Sequence, residues 1–242
     1  INNWDPKLQT TLADSEIEYK DLPSVFNYVK WKVKETGQEI VIGTTRPELI
    51  CTCGAVIFNP KDERYKKLEG KTAISPIYEK EIPIKSNPLA DQEKGTGIVM
   101  MCSAGDLSDI QFFREQNLIP KIAIEKDGRM NSIAGFLSGL KVREARQKII
   151  DTLKEKNLLE RQEQITHRTP VSERSGAEIE FIQMPEYYLK QLEFKKEIKK
   201  ISEKINFFPK ESKKILFDWI NSISIDWPIS RRRFYATPIP LW

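Results

Sequence analysis

Short apolar runs alternate with polar, turn-forming segments along most of the chain. Residues 25–33 are largely apolar or aromatic, a polar segment containing Gly37 follows, and an apolar run resumes over residues 39–43. Two runs of strand length around a glycine-containing turn predict a β-hairpin. Further apolar runs, bounded by Pro, Gly, Asn and Asp, predict strands over residues 55–58, 71–74, 81–84, 98–102 and 121–125.

Helical periodicity interrupts these strands in two places. Residues 106–116 and 142–156 carry apolar side chains at helical spacing, and in the second segment these side chains fall on one face. Later in the chain the pattern predicts a strand over residues 178–182, a charged amphipathic helix over 188–204 and a further helix over 210–223. Many short strands with a few helices indicate an α+β fold, whose main part is a barrel-like, mostly antiparallel β domain with flanking helices.

Composition then limits the class of protein. The 242 residues can bury one good core, or a core and a smaller satellite, and 39% hydrophobic with 31% charged residues is typical of globular proteins. The formal net charge of +4 permits an RNA partner without requiring one. No apolar run approaches the roughly 20 residues that cross a bilayer, and residues 1–6 resemble no signal peptide. We expect a cytoplasmic protein without a membrane partner, and the apolar ending at residues 238–242 suggests a piece of a larger chain.

The rare reactive side chains exclude several kinds of chemistry. Cys51, Cys53, Cys102 and the single histidine, His167, cannot supply a Cys₄ or Cys₂His₂ zinc site, so no metal is expected. The cysteines are interpreted as small buried side chains of a reducing compartment. The sequence has no Gly-x-Ser-x-Gly, Gly-x-Gly-x-x-Gly or P-loop motif. Any reaction must therefore use carboxylates, hydroxyls, arginine or backbone groups.

The first segment that could carry chemistry follows directly on the strand over residues 39–43. Thr44, Thr45 and Arg46 place two hydroxyls and a guanidinium at a strand exit, and Pro47 and Glu48 follow. Such donors can hold a phosphate, a ribose or an ester carbonyl. The alternative, on composition alone, is a plain loop with an exposed Arg and Glu.

The second candidate segment lies between the strand at residues 98–102 and the next helix. Asp106 and Asp109 stand three residues apart at the start of that helix, so both carboxylates lie on about the same side of its first turn. They can bind a cationic or hydroxyl-bearing ligand. Helix starts also favour Asp for capping alone, so a purely structural role for Asp106 stays open.

Four segments, in the same order along the chain, resemble the class I aminoacyl-tRNA synthetases of valine, isoleucine and leucine, in which an editing domain is inserted into the catalytic nucleotide-binding fold. These segments are Trp4-Asp5-Pro6 with residues 12–19, Thr44-Thr45-Arg46-Pro47-Glu48, residues 95–102 with Gly105, Asp106 and Asp109, and residues 226–231. The second lacks the Trp that the isoleucyl form has after the proline. The third is specifically similar to valyl enzymes of the archaeal type.

The resemblance implies a division of the chain and roles for its residues. Residues 1–20 would be an incoming strand from the catalytic body, 21–164 the editing domain, and 165–242 a return segment toward the catalytic domain. Asp109 would hold the α-ammonium group of the substrate, and Asp106 its hydroxyl or the terminal ribose. The predicted catalytic residues are Asp106, Asp109, Thr44 and Thr45, and the predicted substrate-binding residues are Arg46, Glu48, Leu49, Met100 and Cys102.

Some positions depart from the family pattern. Leu49 stands where many valyl enzymes have threonine, and Met100 and Cys102 stand where bacterial relatives have lysine and threonine. Pro228 and Arg232 replace the Cys and Gln expected in the return segment. Because of Leu49, Met100 and Cys102, the resemblance does not define two of the side-chain contacts with the substrate.

The activity implied is hydrolysis of threonine wrongly esterified to the tRNA for valine. The partners would be the aminoacylated acceptor end of that tRNA and the catalytic domain of the parent synthetase. The chain lacks the His-Ile-Gly-His and Lys-Met-Ser-Lys-Ser signatures, so we expect no cofactor for this chain and ATP only for the full-length parent. Residues 188–204 and 231–233 are candidate contacts to tRNA phosphates, with a solvated helix face as the alternative for the former.

Other functions remain as alternatives. An isoleucyl or leucyl editing domain would clear valine or other aliphatic amino acids instead. A tRNA-binding or structural module with decayed editing is a different class, and the unusual Leu49 is its main support. The missing ATP signatures argue against this chain acting as a nucleotide-dependent ligase by itself.

Overall fold

The computed structural model describes residues 1–223, 226–232 and 238–239. The strands are β1 (Asn2–Asp5), β2 (Thr10–Leu12), β3 (Ile17–Val33), β4 (Glu39–Thr44), β5 (Cys53–Phe58), β6 (Thr72–Ile74), β7 (Glu81–Ser86), β8 (Ile98–Cys102), β9 (Leu159–Ser172), β10 (Glu180–Ile182), β11 (Tyr188–Leu189) and β12 (Trp227–Pro228). The α-helices are α1 (Leu107–Glu115), α2 (Val142–Glu155), α3 (Lys195–Ser202) and α4 (Ser212–Ser222). Short 3-10 helices include Pro47–Thr52 and Ser132–Leu137. None of the helices in these described ranges is both long and apolar enough to cross a membrane.

The largest sheet has seven strands in the order β4-β3-β6-β7-β5-β8, and β9 pairs with β3 beside this path. All of its pairings are antiparallel except that of β5 with β7. The strands at the two ends of the order, β4 and β8, lie against each other, so the sheet is curled. The predicted α+β class and the barrel-like, mostly antiparallel sheet are therefore confirmed.

The core fills the inside of this curled sheet and is covered by α2. Trp31, Ile42 and Phe58 point inward from the strands and are almost fully buried, and Ile149 and Leu153 of α2 pack with them. Burial of one such aliphatic side chain stabilises the fold by about 1.5–3 kcal/mol. The apolar face predicted for residues 142–156 is thus the face that closes the core.

A long two-stranded ribbon leads out of the barrel. The strands β3 and β9 pair from Ile17 opposite Ser172 to Val29 opposite Leu159. Many side chains in its outer half are exposed. The boundaries predicted at residues 21 and 164 both fall inside this ribbon, and the division into three segments stays a prediction.

The ribbon ends beside a second, smaller set of elements. Here β10, β1 and β2 form a three-stranded antiparallel sheet. The helices α3 and α4 pack on each other, and β11 pairs with β12. The residues predicted to come before and after the inserted domain therefore share one sheet.

Two of the predicted elements are wrong. Residues 121–125 form no strand, only an isolated bridge between Ile124 and Met130, because the neighbouring polar groups bond to the Asn131 side chain and backbone instead of a ladder. The predicted helix over 188–204 begins only at Lys195. Its first part is held extended because it pairs with β12 and because the Asp226 carboxylate accepts backbone N–H groups of residues 191 and 192.

The other predicted helices and strands agree with the structure to within a few residues at their ends, except that β3 begins at Ile17, well before the predicted run over residues 25–33. Of the tail, Arg233 and residues 240–242 lie outside the described residues.

Candidate functional site

A cavity lies between the end of β4, the strand β8 and the start of α1. Its volume is about 360 Å³, within the range of about 300–1,000 Å³ typical of small-molecule sites. Curling of the sheet brings β4 and β8 together, so segments more than fifty residues apart share the cavity. The predicted site residues that line it are Thr44, Thr45, Arg46, Leu49, Met100, Cys102, Asp106 and Asp109.

Asp106 and Asp109 form the start of α1. Asp106 is the N-cap, and its Oδ1 accepts the backbone N–H of Asp109 at 2.9 Å. In return, Asp109 Oδ2 accepts the backbone N–H of Asp106 at 3.1 Å. This reciprocal arrangement is a capping box, which satisfies two donors that a helix start leaves free.

Asp109 is also tied to β8, because its Oδ1 accepts the backbone N–H of Cys102 at 2.8 Å. The side chain is buried, and burial together with the charge of Asp106 raises the pKa of Asp109 well above its ordinary value. An ionised carboxylate has about four acceptor positions, and the two backbone bonds use two of them. No other donor among the described residues bonds to this carboxylate, so two positions remain for a ligand such as an ammonium group.

The two threonines after β4 differ in their engagement. Thr44 is buried, and its hydroxyl accepts the backbone N–H of Arg46 at 2.9 Å, which shapes the turn out of the strand. The Thr45 hydroxyl has no hydrogen-bond partner among the residues that the structure describes. Thr45 lines the cavity, so its hydroxyl can serve a ligand.

Arg46 and Glu48 belong to one buried ion-pair network. Arg46 donates from Nε to Glu48 at 3.1 Å, from an Nη to Glu180 at 2.8 Å and from the other to the Gly105 carbonyl at 3.4 Å. Glu48 is fully buried, accepts two further bonds from Arg146 and does not line the cavity. Glu48 therefore lies behind Arg46, away from the cavity. The sequence alone did not show that only Arg46 of these two residues lines the cavity.

Opposing effects set the ionisation of this network. Burial raises the pKa of Glu48, but Arg146 and Arg46 outweigh it, so the pKa of Glu48 lies below its ordinary value. Burial also lowers the pKa of Arg46, but the charges of Glu180 and Glu48 raise it by more. The pKa of Arg46 therefore lies above its ordinary value, and Arg46 stays charged. A guanidinium has five N–H donors, and three of these are bonded. In the described part of the chain the other two N–H groups of Arg46 have no partner, so they remain for a ligand.

The remaining predicted residues form an apolar wall. Leu49, Met100 and Cys102 are all buried and line the cavity. Cys102 lies directly opposite Cys53 in the pairing of β5 with β8, and a hydrogen bond to Cys53 together with burial raises the pKa of the Cys102 thiol well above its ordinary value. This wall offers packing contacts and no strong hydrogen-bond acceptor.

Several cavity residues were not predicted. Phe26 lines the cavity and packs on Gly43, where an added Cβ would come closer than 3.0 Å to its ring. Lys94 and His167 also line it, and His167 Nδ1 lies 3.1 Å from Thr169 Oγ1. His167 was visible as the only imidazole in the chain. Its place at the cavity follows from the pairing of β9 with β3, which no local pattern reveals.

The basic segments predicted to contact RNA differ in how freely they present charge. The lysines of α3 are exposed or half-buried. Arg231 instead donates to Glu16 at 2.8 Å and Arg232 to Glu186 at 3.0 Å. These two arginines are held by carboxylates of the chain itself. In the part of the chain that is described, no group of three or more His, Cys, Asp or Glu residues is placed to hold a metal ion.

Comparison of the sequence with known proteins shows the family of this chain. The family described as tRNA synthetases class I (I, L, M and V) matches residues 1–242, and the chain belongs to that family. It is 50% identical over 240 residues to the valine–tRNA ligase of Nanoarchaeum equitans, and 45% identical over 239 and 240 residues to those of Aeropyrum pernix and Rickettsia conorii. Each alignment covers 99% of this chain. The predicted resemblance to valyl enzymes is confirmed.

The chain spans about a third of the length of these relatives, namely 32% of the first and 29% of the other two. A LeuRS–tRNA–LeuAMS ternary complex from Agrobacterium radiobacter K84 superposes on 69% of this chain and 29% of its own, at a TM-score of 0.47 and 15% identity. That likeness is too low to add to the assignment.

Proposed function

We propose that the cavity hydrolyses the ester of threonine mischarged on the tRNA for valine. The observation that carries this proposal is the convergence of a buried carboxylate, Asp109, with the unengaged hydroxyl of Thr45 and two free N–H groups of Arg46 in a single cavity. These groups complement an α-ammonium, a hydroxyl and an ester oxygen respectively. A volume of about 360 Å³ suits the aminoacyl end of a tRNA.

The roles follow from the hydrogen-bonding positions that each group has not already used within the protein. Asp109 has two acceptor positions for the α-ammonium, as proposed from the family resemblance. Asp106 takes the threonine hydroxyl or the terminal ribose. Thr44 shapes the loop through its bond to the Arg46 backbone, so Thr45 and Arg46 hold the ester and the terminal adenosine.

Hydrolysis of this ester needs little chemical assistance, because an aminoacyl ester is already reactive. A water held beside the carbonyl carbon adds to it, the bond from that carbon to the ribose oxygen breaks, and the products are free threonine and the ribose hydroxyl. Orientation of the water and the ester supplies most of the acceleration, with modest help from a carboxylate or the adjacent ribose hydroxyl. Neither a covalent intermediate nor a metal is part of this proposal.

Selectivity for threonine over valine has to come from the hydroxyl. The two side chains have nearly the same shape, and an apolar pocket does not strongly reject an isostere that merely adds a hydroxyl. The wall of Leu49, Met100 and Cys102 is of that kind, so it cannot discriminate. Polar groups that would lose a partner when valine enters can discriminate, and Asp106 is the polar side chain that takes the threonine hydroxyl in this proposal.

The relatives are named valine–tRNA ligases, which supports a second part of the proposal. The longer protein ligates valine to its tRNA with ATP, through a catalytic domain that the three-stranded sheet of β10, β1 and β2 adjoins. The partners of this chain are then that domain and the acceptor end of the valine tRNA.

The test is hydrolysis of threonine and of valine, each charged on the valine tRNA, by this chain and by Asp109→Ala. We expect selective release of threonine that the substitution abolishes. Asp151→Ala is the control, because Asp151 is an exposed carboxylate on α2, and it should keep full activity.

Valine charged on the isoleucine tRNA is the third substrate. Preferential hydrolysis of that substrate would replace the proposal with isoleucyl-type editing. Binding of tRNA without hydrolysis above the spontaneous rate would instead favour a module whose editing has decayed.

A further inference from the structure

Arg46 is held by carboxylates from two different parts of the fold. Glu48 comes from the 3-10 helix directly after Arg46, inside the barrel. Glu180 comes from β10, which pairs with β1 outside the barrel, and it accepts from the Arg46 guanidinium at 2.8 Å. A cavity-lining side chain, that of Arg46, is therefore held by a strand residue 134 positions further along the chain.

The two carboxylates are not equivalent. Glu48 divides its oxygens between Arg46 and Arg146, with Oε1 accepting from both at 3.1 and 2.8 Å. Among the described residues, Glu180 forms its side-chain ion pair with Arg46 alone. The side chain of Glu180 is 8% exposed and that of Arg46 is 20% exposed, so water competes little for this bond. Glu180 does not line the cavity.

We propose that Glu180 is a positioning residue for the proposed deacylation, because it fixes the Arg46 guanidinium at the cavity wall without touching the substrate. Without Glu180, the hydrogen bond from Arg46 Nε to Glu48 would be the only short hydrogen bond that holds the guanidinium. The guanidinium would then be free to turn about that hydrogen bond. The third contact, to the Gly105 carbonyl at 3.4 Å, is long. With Glu180 in place, the two free N–H groups of Arg46 keep one direction toward the ester.

This proposal rests on the proposed function, so one of its tests does not depend on activity. In the full chain, the assigned nuclear magnetic resonance signals of the Arg46 guanidinium should show restricted rotation and slow exchange. Glu180→Gln keeps the size of the side chain but removes its charge, and it should abolish that restriction. Glu178→Gln is the matched control, because Glu178 lies two residues earlier and pairs with the exposed Arg143.

Activity supplies the second test. Glu180→Gln should lower kcat for Thr-tRNA hydrolysis by about 10- to 100-fold, the size expected when a contacting group is slightly displaced. Glu180→Gln should have no further effect in an Arg46→Ala background, whereas damage to folding alone would add to it. If Glu180→Gln does not fold, Glu180→Asp, which keeps the charge on a shorter stem, should give the same effects in weaker form.

The outcomes separate the two proposals. A chain without deacylase activity would refute the proposed function, and the Arg46 signals would still decide the positioning role. Restricted Arg46 rotation that persists in Glu180→Gln would overturn that role. A fall in kcat that adds fully to that of Arg46→Ala would overturn it as well.

Discussion

Asp106 and Asp109 hold each other's backbone N–H groups, at 2.9 and 3.1 Å, in the first turn of α1. The pair is thus a capping box and a wall of the cavity at the same time. Capping alone accounts for an Asp at each position. Mutations must therefore separate the structural role from the role in binding.

Asp106→Asn and Asp106→Ala separate these roles. Asparagine is as good an N-cap as aspartate, so Asp106→Asn should keep the free energy of unfolding within about 0.5 kcal/mol, whereas Asp106→Ala should lose about 1 kcal/mol. Both should reduce discrimination between threonine and valine, because the charge is lost in each. Urea unfolding and paired deacylation assays measure the two effects. If Asp106→Asn kept full selectivity for threonine over valine, the role of Asp106 would be helix capping alone.

The ionisation of Asp109 predicts a pH dependence. Burial and the neighbouring Asp106 raise its pKa, so Asp109 becomes neutral at a higher pH than an ordinary aspartate. A neutral acid attracts an ammonium group weakly, so KM for Thr-tRNA should rise as the pH falls through this raised pKa. Asp109→Asn should have a high KM that does not change in this way. Kinetics over a series of pH values that starts near the ordinary aspartate pKa of about 4, corrected for spontaneous hydrolysis, test it, and a wild-type KM that does not rise toward the acid end of the series would contradict the ammonium role.

Glu48 should matter for stability more than for chemistry. Glu48→Gln leaves Arg46 and Arg146 without a shared carboxylate, and loss of one partner from a buried ion pair costs about 3 kcal/mol. Because the folded pKa of Glu48 is lowered from 4.5, its stabilisation is present above that pH and is lost as the pH falls through the lower folded value.

The difference in unfolding free energy between wild type and Glu48→Gln should therefore be largest near neutrality and narrow below about pH 4.5. Denaturant unfolding at several pH values measures it. Glu81→Gln breaks only the exposed ion pair with Lys34, and it should change stability little at any pH. A Glu48→Gln variant as stable as wild type at pH 7 would show that the network contributes nothing to the fold.

Local pattern predicted most strands and helices of the barrel because these follow their own periodicity, but no predicted strand covered β9. Ile40 and Ile42 alternate with more exposed neighbours in β4, and Ala145, Ile149 and Leu153 repeat at helical spacing in α2. The segment 188–194 has helical composition as well, but its contacts with β12 and Asp226 decide its conformation. Those contacts join residues more than thirty positions apart, which no local pattern contains.

The candidate site divides in the same way. Asp106, Asp109 and the segment from Thr44 to Glu48 were recognisable as motifs, and all of these polar groups lie in or behind one cavity. The burial of Glu48 depends on Arg146, 98 residues away, and the anchoring of Arg46 depends on Glu180. The sequence shows such side chains, but only the pairing of distant strands shows which of them meet.

Gly105 should be required for the space it leaves at Asp109. A Cβ at this position would come closer than 3.0 Å to Asp109 Oδ2, and Gly105 does not have a positive φ that would require glycine for backbone reasons. Gly105→Ala should therefore displace the Asp109 carboxylate and lower kcat/KM by roughly 100-fold, the effect of a misplacement of about 1 Å.

Gly70→Ala is the control for Gly105→Ala. An added Cβ meets nothing within 4 Å at Gly70, but its φ of +75° makes alanine strained there, so this variant should lose about 1 kcal/mol of stability while keeping its activity. Deacylation and unfolding are measured on both variants. If Asp109 acts through its position at the cavity, Gly105→Ala should lose activity, whereas Gly70→Ala should lose stability and keep its activity. Equal activity of Gly105→Ala and wild type would mean that the carboxylate need not occupy that position, and the assignment of the ammonium to Asp109 would then fail.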